Sequence, residues 1–276
     1  MKRLFIILFS TLLLASCQKD NAVDGGSAST LTYSLSTDVQ FHVKSGESAA
    51  AGNASEINVL WYGVYHKKAD GSYRYMSDMS AFVEVTDPNS IKVPITLING
   101  QEYELVFVAQ HRIESPDDEY AYMYTISEEA VMTRNTSTPV TSGEELDVFV
   151  FVDKVGPVVG NTSKNITLER PVAQINIATS QTSLPADIDI TLSSVSASYN
   201  LIEHTFSSET TTLTFNDIVP TGQTVTVNST NYKGLTTLYI LGGNNVNMQI
   251  SCDGNSRVIN NIAIAENYKT NIVGNI

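Results

Sequence analysis

The stretch Leu168–Thr179, with the sequence LERPVAQINIAT, is the part of the chain on which the predicted fold depends. Its second half alternates, with Ile175 and Ile177 on the same side, which is typical of a strand that buries one face. Pro171 has no N–H to donate to a neighbouring strand, so we place it at the start. The last stretch of the chain, Ile262–Ile276 (IAIAENYKTNIVGNI), has a comparable pattern. We therefore expect these two segments to be the first and last strands of one C-terminal β domain.

The residues before this stretch also have the composition of an all-β protein. They are rich in Thr, Ser, Val, Ile and Tyr, in short runs that Asn, Gly and Asp separate. Leu31–Lys44 alternates well, Glu102–Gln110 is the strongest strand of the first half, and Val148–Val152 closes that half. Glycine and proline residues between positions 156 and 160 then mark a loop. We predict an all-β fold of two domains, at residues 31–160 and 161–276.

The N-terminus has the pattern of a secretory signal peptide at residues 1–16. A basic start, MKR, precedes the apolar run Leu4–Leu14, which is shorter than the about 20 residues of a membrane-spanning helix. The small residues Ala15 and Ser16 then lead to Cys17, as in the bacterial lipoprotein box. The alternative is an ordinary signal peptide in which this cysteine occurs by chance.

Cys17, as the site of lipid attachment, is the one functional residue that the sequence predicts. Cleavage before Cys17 leaves a thiol that receives a diacylglycerol and an amine that is acylated, for example with palmitate. Each buried CH₂ group contributes about 0.8 kcal/mol to such an anchor. Residues 17–30 are polar and rich in Gly and Ser, which suits a flexible tether. The residue after Cys17 is Gln18, whereas an Asp at this position is associated with retention in the inner membrane. We therefore predict that the protein is located in the outer membrane, at the cell surface.

The chain is strongly acidic, with a net charge of −13 and an isoelectric point near 4.6. This charge argues against binding of nucleic acid, which requires basic surfaces. It mainly indicates solubility and repulsion between copies. Cys252 is the only cysteine after Cys17, so the mature chain cannot form an internal disulfide. Its stability must come from burial and strand pairing.

The sequence contains no catalytic, metal-binding or cofactor-binding pattern. Its four histidines, at positions 42, 66, 111 and 204, stand singly, whereas metal sites need clustered ligands. Asp117, Asp118 and Glu119 offer oxygen ligands for calcium, but they lack the DxDxDG spacing and suit a solvated loop better. No GxSxG, SxxK or phosphate-binding glycine loop occurs, and Cys252 has no neighbouring histidine. We therefore predict that the protein is not an enzyme and uses no cofactor.

Tyrosine residues provide one candidate binding surface. Tyr120, Tyr122 and Tyr124 alternate with other residues, so they can share one face of a strand. That face is either an ordinary side of a strand or a tyrosine-lined surface for a ligand such as a sugar. Trp61 lies in an apolar run, which favours a place in the core over a sugar-binding platform.

The two motifs quoted first also carry a family resemblance. LERPVAQINIAT, together with ENYKTNIVG at Glu266–Gly274, resembles the paired signature of a Bacteroidales lipoprotein family of unknown function. That family is similar to the fimbrillins, the subunits of type V pili. The resemblance implies two transthyretin-like β-sandwich domains in series, after a lipoprotein signal peptide and a tether.

The sequence departs from the pattern of fimbrillins that form a pilus stalk. The resemblance implies that an arginine-specific protease cuts stalk subunits after the first strand, and that a neighbour's strand fills the groove. No arginine lies between Arg3 and Arg74 in this chain. We therefore expect a structural or adhesive surface lipoprotein, acting as a pilus anchor or accessory subunit. Its expected partners are the outer membrane, through Cys17, and pilus subunits or a host ligand. The alternative is a glycan-binding surface lipoprotein of a polysaccharide uptake system.

Overall fold

The structure is a computed structural model that describes residues 26–40, 53–114, 120–138, 140 and 143–275. The predicted all-β fold is confirmed, because the regular structure of these residues consists of strands and two short 3-10 turns, at Ser77–Met79 and Gly143–Leu146. The signal peptide, Cys17 and most of the predicted tether lie outside the described residues.

The strands of the first half, in chain order, are β1 (Ala28–Thr37), β2 (Val59–Lys67), β3 (Tyr73–Tyr75), β4 (Ala81–Glu84), β5 (Ile91–Ile98), β6 (Tyr103–Gln110), β7 (Arg112–Glu114), β8 (Tyr120–Tyr122), β9 (Tyr124–Ile126), β10 (Val131–Arg134), β11 (Val148–Val155) and β12 (Thr162–Leu168). Those of the second half are β13 (Val172–Thr179), β14 (Ile188–Ser196), β15 (Ser198–Asn200), β16 (Thr205–Phe206), β17 (Thr210–Ile218), β18 (Thr224–Val227), β19 (Thr230–Leu241), β20 (Val246–Cys252), β21 (Asn255–Ile262) and β22 (Lys269–Val273).

Two sheets form the first sandwich. One has the strand order β12-β1-β5, and the other has the order β11-β6-β2, with β3 and β4 both paired to β2. Every second residue of β5 is buried, as the period of a strand with one covered face requires. The core between the sheets includes Leu35 of β1, Val93 of β5, Leu60 of β2 and Phe107 of β6.

The second sandwich contains both motifs that predicted the fold. Its sheets have the orders β18-β19-β13-β22 and β17-β14-β20-β21. The two motifs are neighbouring strands, since β13 and β22 pair in parallel with Ile177 beside Ile272. Ile175 and Ile177 are buried between the sheets as predicted, and Ile272 packs against the same core while partly exposed.

The strand pairing places the boundary between the two sandwiches at a different position from the one that the sequence suggested. Residues 162–168, which follow the expected boundary at 160/161, form β12 and pair in parallel with β1 of the first sandwich. The chain passes to the second sandwich at residues 169–171, between β12 and β13. The tether expected to end at residue 30 also overlaps β1, because Ala28–Thr30 already pair with β5. β12 was missed because most of its residues are exposed or half-buried, so it shows no run of apolar residues.

A small sheet joins the two halves of the chain. Its strand order is β16-β15-β10-β9, so two strands come from each half. The pair that crosses between the halves is β10 with β15, where Met132 lies opposite Tyr199. Both side chains belong to a third hydrophobic core, which also contains Trp61 of β2 and Tyr239 of β19. The two sandwiches therefore share both a sheet and a core.

Candidate functional site: the first strand and a polar cleft

The first strand lies in the middle of its sheet. β1 pairs in parallel with β12 over Leu31–Thr37 and antiparallel with β5 over Ala28–Leu35. Both edges of β1 are therefore paired along most of its length. A segment in this position cannot leave without breaking two ladders of hydrogen bonds.

Side chains on one face of β1 also hold it in the core. Leu31, Tyr33 and Leu35 are all buried, and burial of a large apolar side chain contributes about 1.5–3 kcal/mol. The Tyr33 ring packs on Phe107 with a centroid distance of 4.9 Å. The Tyr33 hydroxyl donates a 2.6 Å hydrogen bond to Asp153 Oδ2 on β11.

Tyr33 and its partners form a small charged network between the two sheets. Lys164 Nζ on β12 binds the same Asp153 Oδ2 at 2.6 Å. Burial raises the pKa of Tyr33, and the neighbouring Asp153 carboxylate raises it further, so the hydroxyl keeps its proton and remains a donor. This network connects the first, eleventh and twelfth strands.

Arg74, the first arginine after the signal peptide, lies far from β1 in the topology. It belongs to β3, opposite His66 of β2, in the other sheet of the first sandwich. A cut after Arg74 would fall within β3 and would leave β1 and β2 together on one fragment, so it would not release β1 alone.

A polar cleft of about 1120 Å³ lies beside the second sandwich. One wall is β17, from Thr211 to Ile218, and another is formed by β18 and part of β19. Within the part of the chain that the structure describes, β17 pairs only with β14, so its second edge is open. The first half of the chain contributes Arg134, Glu144 and neighbouring residues.

Gly143 explains how the first half approaches the cleft so closely. The 3-10 turn that begins at Gly143 lies against β19, and a Cβ atom at this position would fall 1.5 Å from the backbone oxygen of Thr237. Only glycine fits this contact without a shift of the backbone. In the same turn, Glu144 accepts a 2.8 Å hydrogen bond from the hydroxyl of Tyr239.

Amide side chains of β13 also line the cleft. Asn176 uses both ends of its amide, since Nδ2 donates to Asn271 at 3.0 Å and Oδ1 accepts from Thr237 at 2.9 Å. Gln174 Nε2 donates to the hydroxyl of Tyr239 at 3.3 Å. Its Oε1 atom is buried and has no hydrogen-bond partner among the described residues. The alternation of β13 placed Gln174 and Asn176 on one face, but it gave no sign of a cleft.

The three tyrosines predicted to share a strand face are divided between two strands. Tyr124 is buried in β9 and donates to the backbone oxygen of Leu146 at 2.7 Å. Tyr120 and Tyr122 remain on the surface side in β8. Tyr122 stacks on exposed Phe82 with a centroid distance of 4.7 Å. Of the two alternatives for these tyrosines, the tyrosine-lined surface is thus limited to a small aromatic patch of Tyr122 and Phe82, and Trp61 is buried as expected.

The remaining candidate ligands do not meet. His66, His111 and His204 lie near Gln101, Glu56 and Tyr199 respectively, each in a separate place. Among the described residues, no three His, Cys, Asp or Glu side chains form a group that could hold a metal ion. His42 and the Asp117–Glu119 run lie outside the described residues. Cys252 is a partly buried free thiol at the end of β20.

No helix in the described ranges has the length and apolar character to cross a membrane. This finding concerns only residues 26–40, 53–114, 120–138, 140 and 143–275.

Comparisons with known proteins identify a family and several solved structures of low sequence identity. The model of a family described as a family of unknown function, DUF6562, matches residues 21–276. No curated protein matches the chain. A candidate adhesin of Bacteroides thetaiotaomicron is 11% identical with a TM-score of 0.50, over 87% of this chain and 82% of that chain. This likeness shows a shared fold.

Two further solved structures are similar over most of their length. A candidate polysaccharide-binding protein of Bacteroides thetaiotaomicron is 13% identical with a TM-score of 0.49, over 89% of this chain and 90% of that chain. The fimbrial anchor protein Mfa2 from Porphyromonas gingivalis is 15% identical with a TM-score of 0.47, over 85% of this chain and 82% of that chain.

Proposed function

The chain belongs to DUF6562, a family of unknown function, and from that premise we propose that it is a fimbrillin-like surface lipoprotein with a structural or adhesive role. In this proposal lipid on Cys17 holds the protein to the outer membrane, and the protein is not an enzyme. It keeps its own first strand, so it acts as a pilus anchor or accessory subunit instead of a repeating stalk unit.

The pairing of β1 is the observation that carries this proposal. A subunit that accepts a strand from its neighbour needs an empty place beside an unpaired strand edge. In this chain that place in the first sandwich is filled, because β1 lies between β12 and β5. Tyr33, Phe107 and Asp153 add side-chain contacts to the two ladders.

The distribution of arginine supports the same conclusion. Removal of β1 by an arginine-specific protease needs a target shortly after the strand, and no arginine occurs between Arg3 and Arg74. An arginine-specific protease therefore has no target at which a cut would release β1 and open the groove.

Sizing chromatography under native conditions tests the proposal. The chain from Gln18 onward should elute as a monomer before and after incubation with an arginine-specific protease. Lys44→Arg is the matched control, since it supplies a target in the sequence that follows β1, and its cleavage shows that the protease is active. SDS-resistant ladders of the unmodified chain, or an N-terminus between residues 43 and 68 on cells, would contradict the proposal.

A further inference from the structure

The polar cleft of the second sandwich has the size and chemistry of a binding site. Its volume of about 1120 Å³ is slightly above the roughly 300–1,000 Å³ of typical small-molecule pockets. A single small metabolite would leave much of this space empty. The cleft extends along β17, where every residue from Thr211 to Ile218 lines it.

Hydroxyl and amide groups dominate the lining of the cleft. Ten of its 27 lining residues are threonines, and four more are Asn or Gln. Hydroxyl and amide groups both donate and accept hydrogen bonds, so they complement a ligand whose own groups do the same. Sugar hydroxyls have this double character. Leu213 and Phe215, also in the lining, offer apolar contacts to the C–H faces of a sugar ring.

The charges of the cleft are balanced. Arg134 and Lys269 are the cationic lining residues, and Glu144 and Asp217 are the anionic ones. The cleft therefore offers no excess charge to attract an anion or a cation. The net charge of −13 on the whole chain further disfavours an acidic ligand.

Gln174 places an unsatisfied polar atom beside the cleft. Its side chain lines the cleft, the residue is 3% exposed, and its Oε1 atom lacks a hydrogen-bond partner among the described residues. Folded proteins leave few buried polar atoms unsatisfied. Its neighbour Asn176, on the same face of β13, has partners for both ends of its amide. Because Oε1 is closed to solvent in this structure, a ligand hydroxyl can supply the missing donor only after the Gln174 side chain rotates toward the cleft.

We propose that this cleft binds a short neutral oligosaccharide, with Gln174 Oε1 accepting a hydrogen bond from a sugar hydroxyl. An extended peptide paired with the open edge of β17 is the competing occupant. A peptide would use the backbone of β17 and would leave the amide side chains of β13 without a role, so the lining favours the sugar.

Binding to immobilised oligosaccharides tests the proposal. The probes are linear manno-, malto- and xylo-oligosaccharides as neutral ligands, hyaluronan and polygalacturonate fragments as acidic ligands, and a set of extended peptides. The chain from Gln18 onward should bind at least one neutral oligosaccharide, with the affinity then measured by calorimetry. Binding of none of the neutral probes, a preference for the acidic probes, or displacement of the sugar by a peptide would overturn it.

Variants of β17 locate the site. Thr214 is exposed and lines the cleft, so Thr214→Trp should obstruct the part of the cleft beside β17 and weaken binding by more than tenfold. Thr210 is exposed on the same strand but does not line the cleft, so Thr210→Trp is the matched control and should bind like the unmodified chain. Equal binding by these two variants would place the sugar elsewhere and refute the proposal.

Gln174→Leu tests the specific hydrogen bond. This variant keeps the size of the side chain and removes Oε1, so affinity should fall about tenfold while the thermal midpoint stays the same or rises. An affinity equal to that of the unmodified chain would exclude Gln174 as the acceptor. Because Thr214 is on the surface, the pair of tryptophan variants gives a result even if Gln174→Leu folds poorly.

Discussion

Arg170 donates three hydrogen bonds to Asp147, from Nε to Oδ1 at 2.8 Å and to Oδ2 at 3.1 Å, and from Nη2 to Oδ2 at 2.9 Å. Both side chains are almost fully buried, with exposed fractions of 0% and 2%. Arg170 Nη1 also donates to the backbone oxygen of Asp38, just after β1, at 3.0 Å. The guanidinium carbon lies 4.3 Å from the centre of the Phe149 ring. One side chain thus connects the end of β1, the start of β11 and the passage into the second sandwich.

Removal of one member of this pair should be strongly destabilising. In Arg170→Met the carboxylate of Asp147 stays buried without its cation, which costs about 3–5 kcal/mol of unfolding free energy. The double variant with Asp147→Leu should recover much of this loss, because neither charge remains buried. Urea unfolding measures all three proteins.

A surface pair provides the control for that experiment. Lys67 and Glu102 are 2.6 Å apart, but their side chains are 39% and 42% exposed. Lys67→Met should therefore change the urea midpoint far less than Arg170→Met does. Equal effects of the two variants would mean that the burial of Arg170 is not what makes its ion pair important.

Truncation of Ile175 should weaken the second sandwich. Ile175 is buried on β13, so Ile175→Ala should lower the unfolding free energy by about 2–5 kcal/mol. Val258→Ala is the control, since Val258 is 62% exposed on β21 and should change stability by less than about 0.5 kcal/mol. A loss below about 1 kcal/mol in Ile175→Ala would contradict the assigned core position.

Alkaline conditions should unfold the protein through its buried tyrosines. Burial raises the pKa of Tyr33, Tyr124 and Tyr239, so the folded state holds their protons while the unfolded chain releases them at about pH 10. The unfolded state then binds fewer protons, and stability falls as the pH rises past that value. Tyrosinate absorbance should increase together with loss of the β signal in circular dichroism. Titration of all 13 tyrosines near pH 10 with the β signal intact would disprove this expectation.

Lipid attachment is tested at Cys17. Cys17→Ala should abolish incorporation of labelled fatty acid and release the protein from the membrane fraction, because the thiol is the predicted acceptor. Cys252→Ala is the matched control and should keep both labelling and membrane association. Membrane association of the Cys17→Ala protein would show that another part of the chain provides the anchor.

The sequence predicted the elements whose residues have a strong periodic pattern. β13 and β22 were expected as the first and last strands of one domain, and they pair in that domain. β12 was not separated from the loop before it, because its side chains are mostly exposed or half-buried and polar. The contact between β10 and β15 was also missed, since strands of three or four residues are too short to show a period.

The cleft could not be predicted from the sequence, for a different reason. Its threonines come from several segments of both halves, and a single threonine has the same signal in a binding wall as on any strand surface. Gln174 could be assigned to one face of β13, but the lack of a partner for its oxygen depends on the whole tertiary structure.

The direction of β1 has a mechanical consequence. A pull on the chain that precedes Ala28 acts along the axis of this strand, while its hydrogen bonds to β5 and β12 run across that axis. Such a force loads both ladders in shear, so many bonds must fail together instead of opening one after another. The same strand that fills the first sandwich can therefore bear tension that is applied through the chain before it.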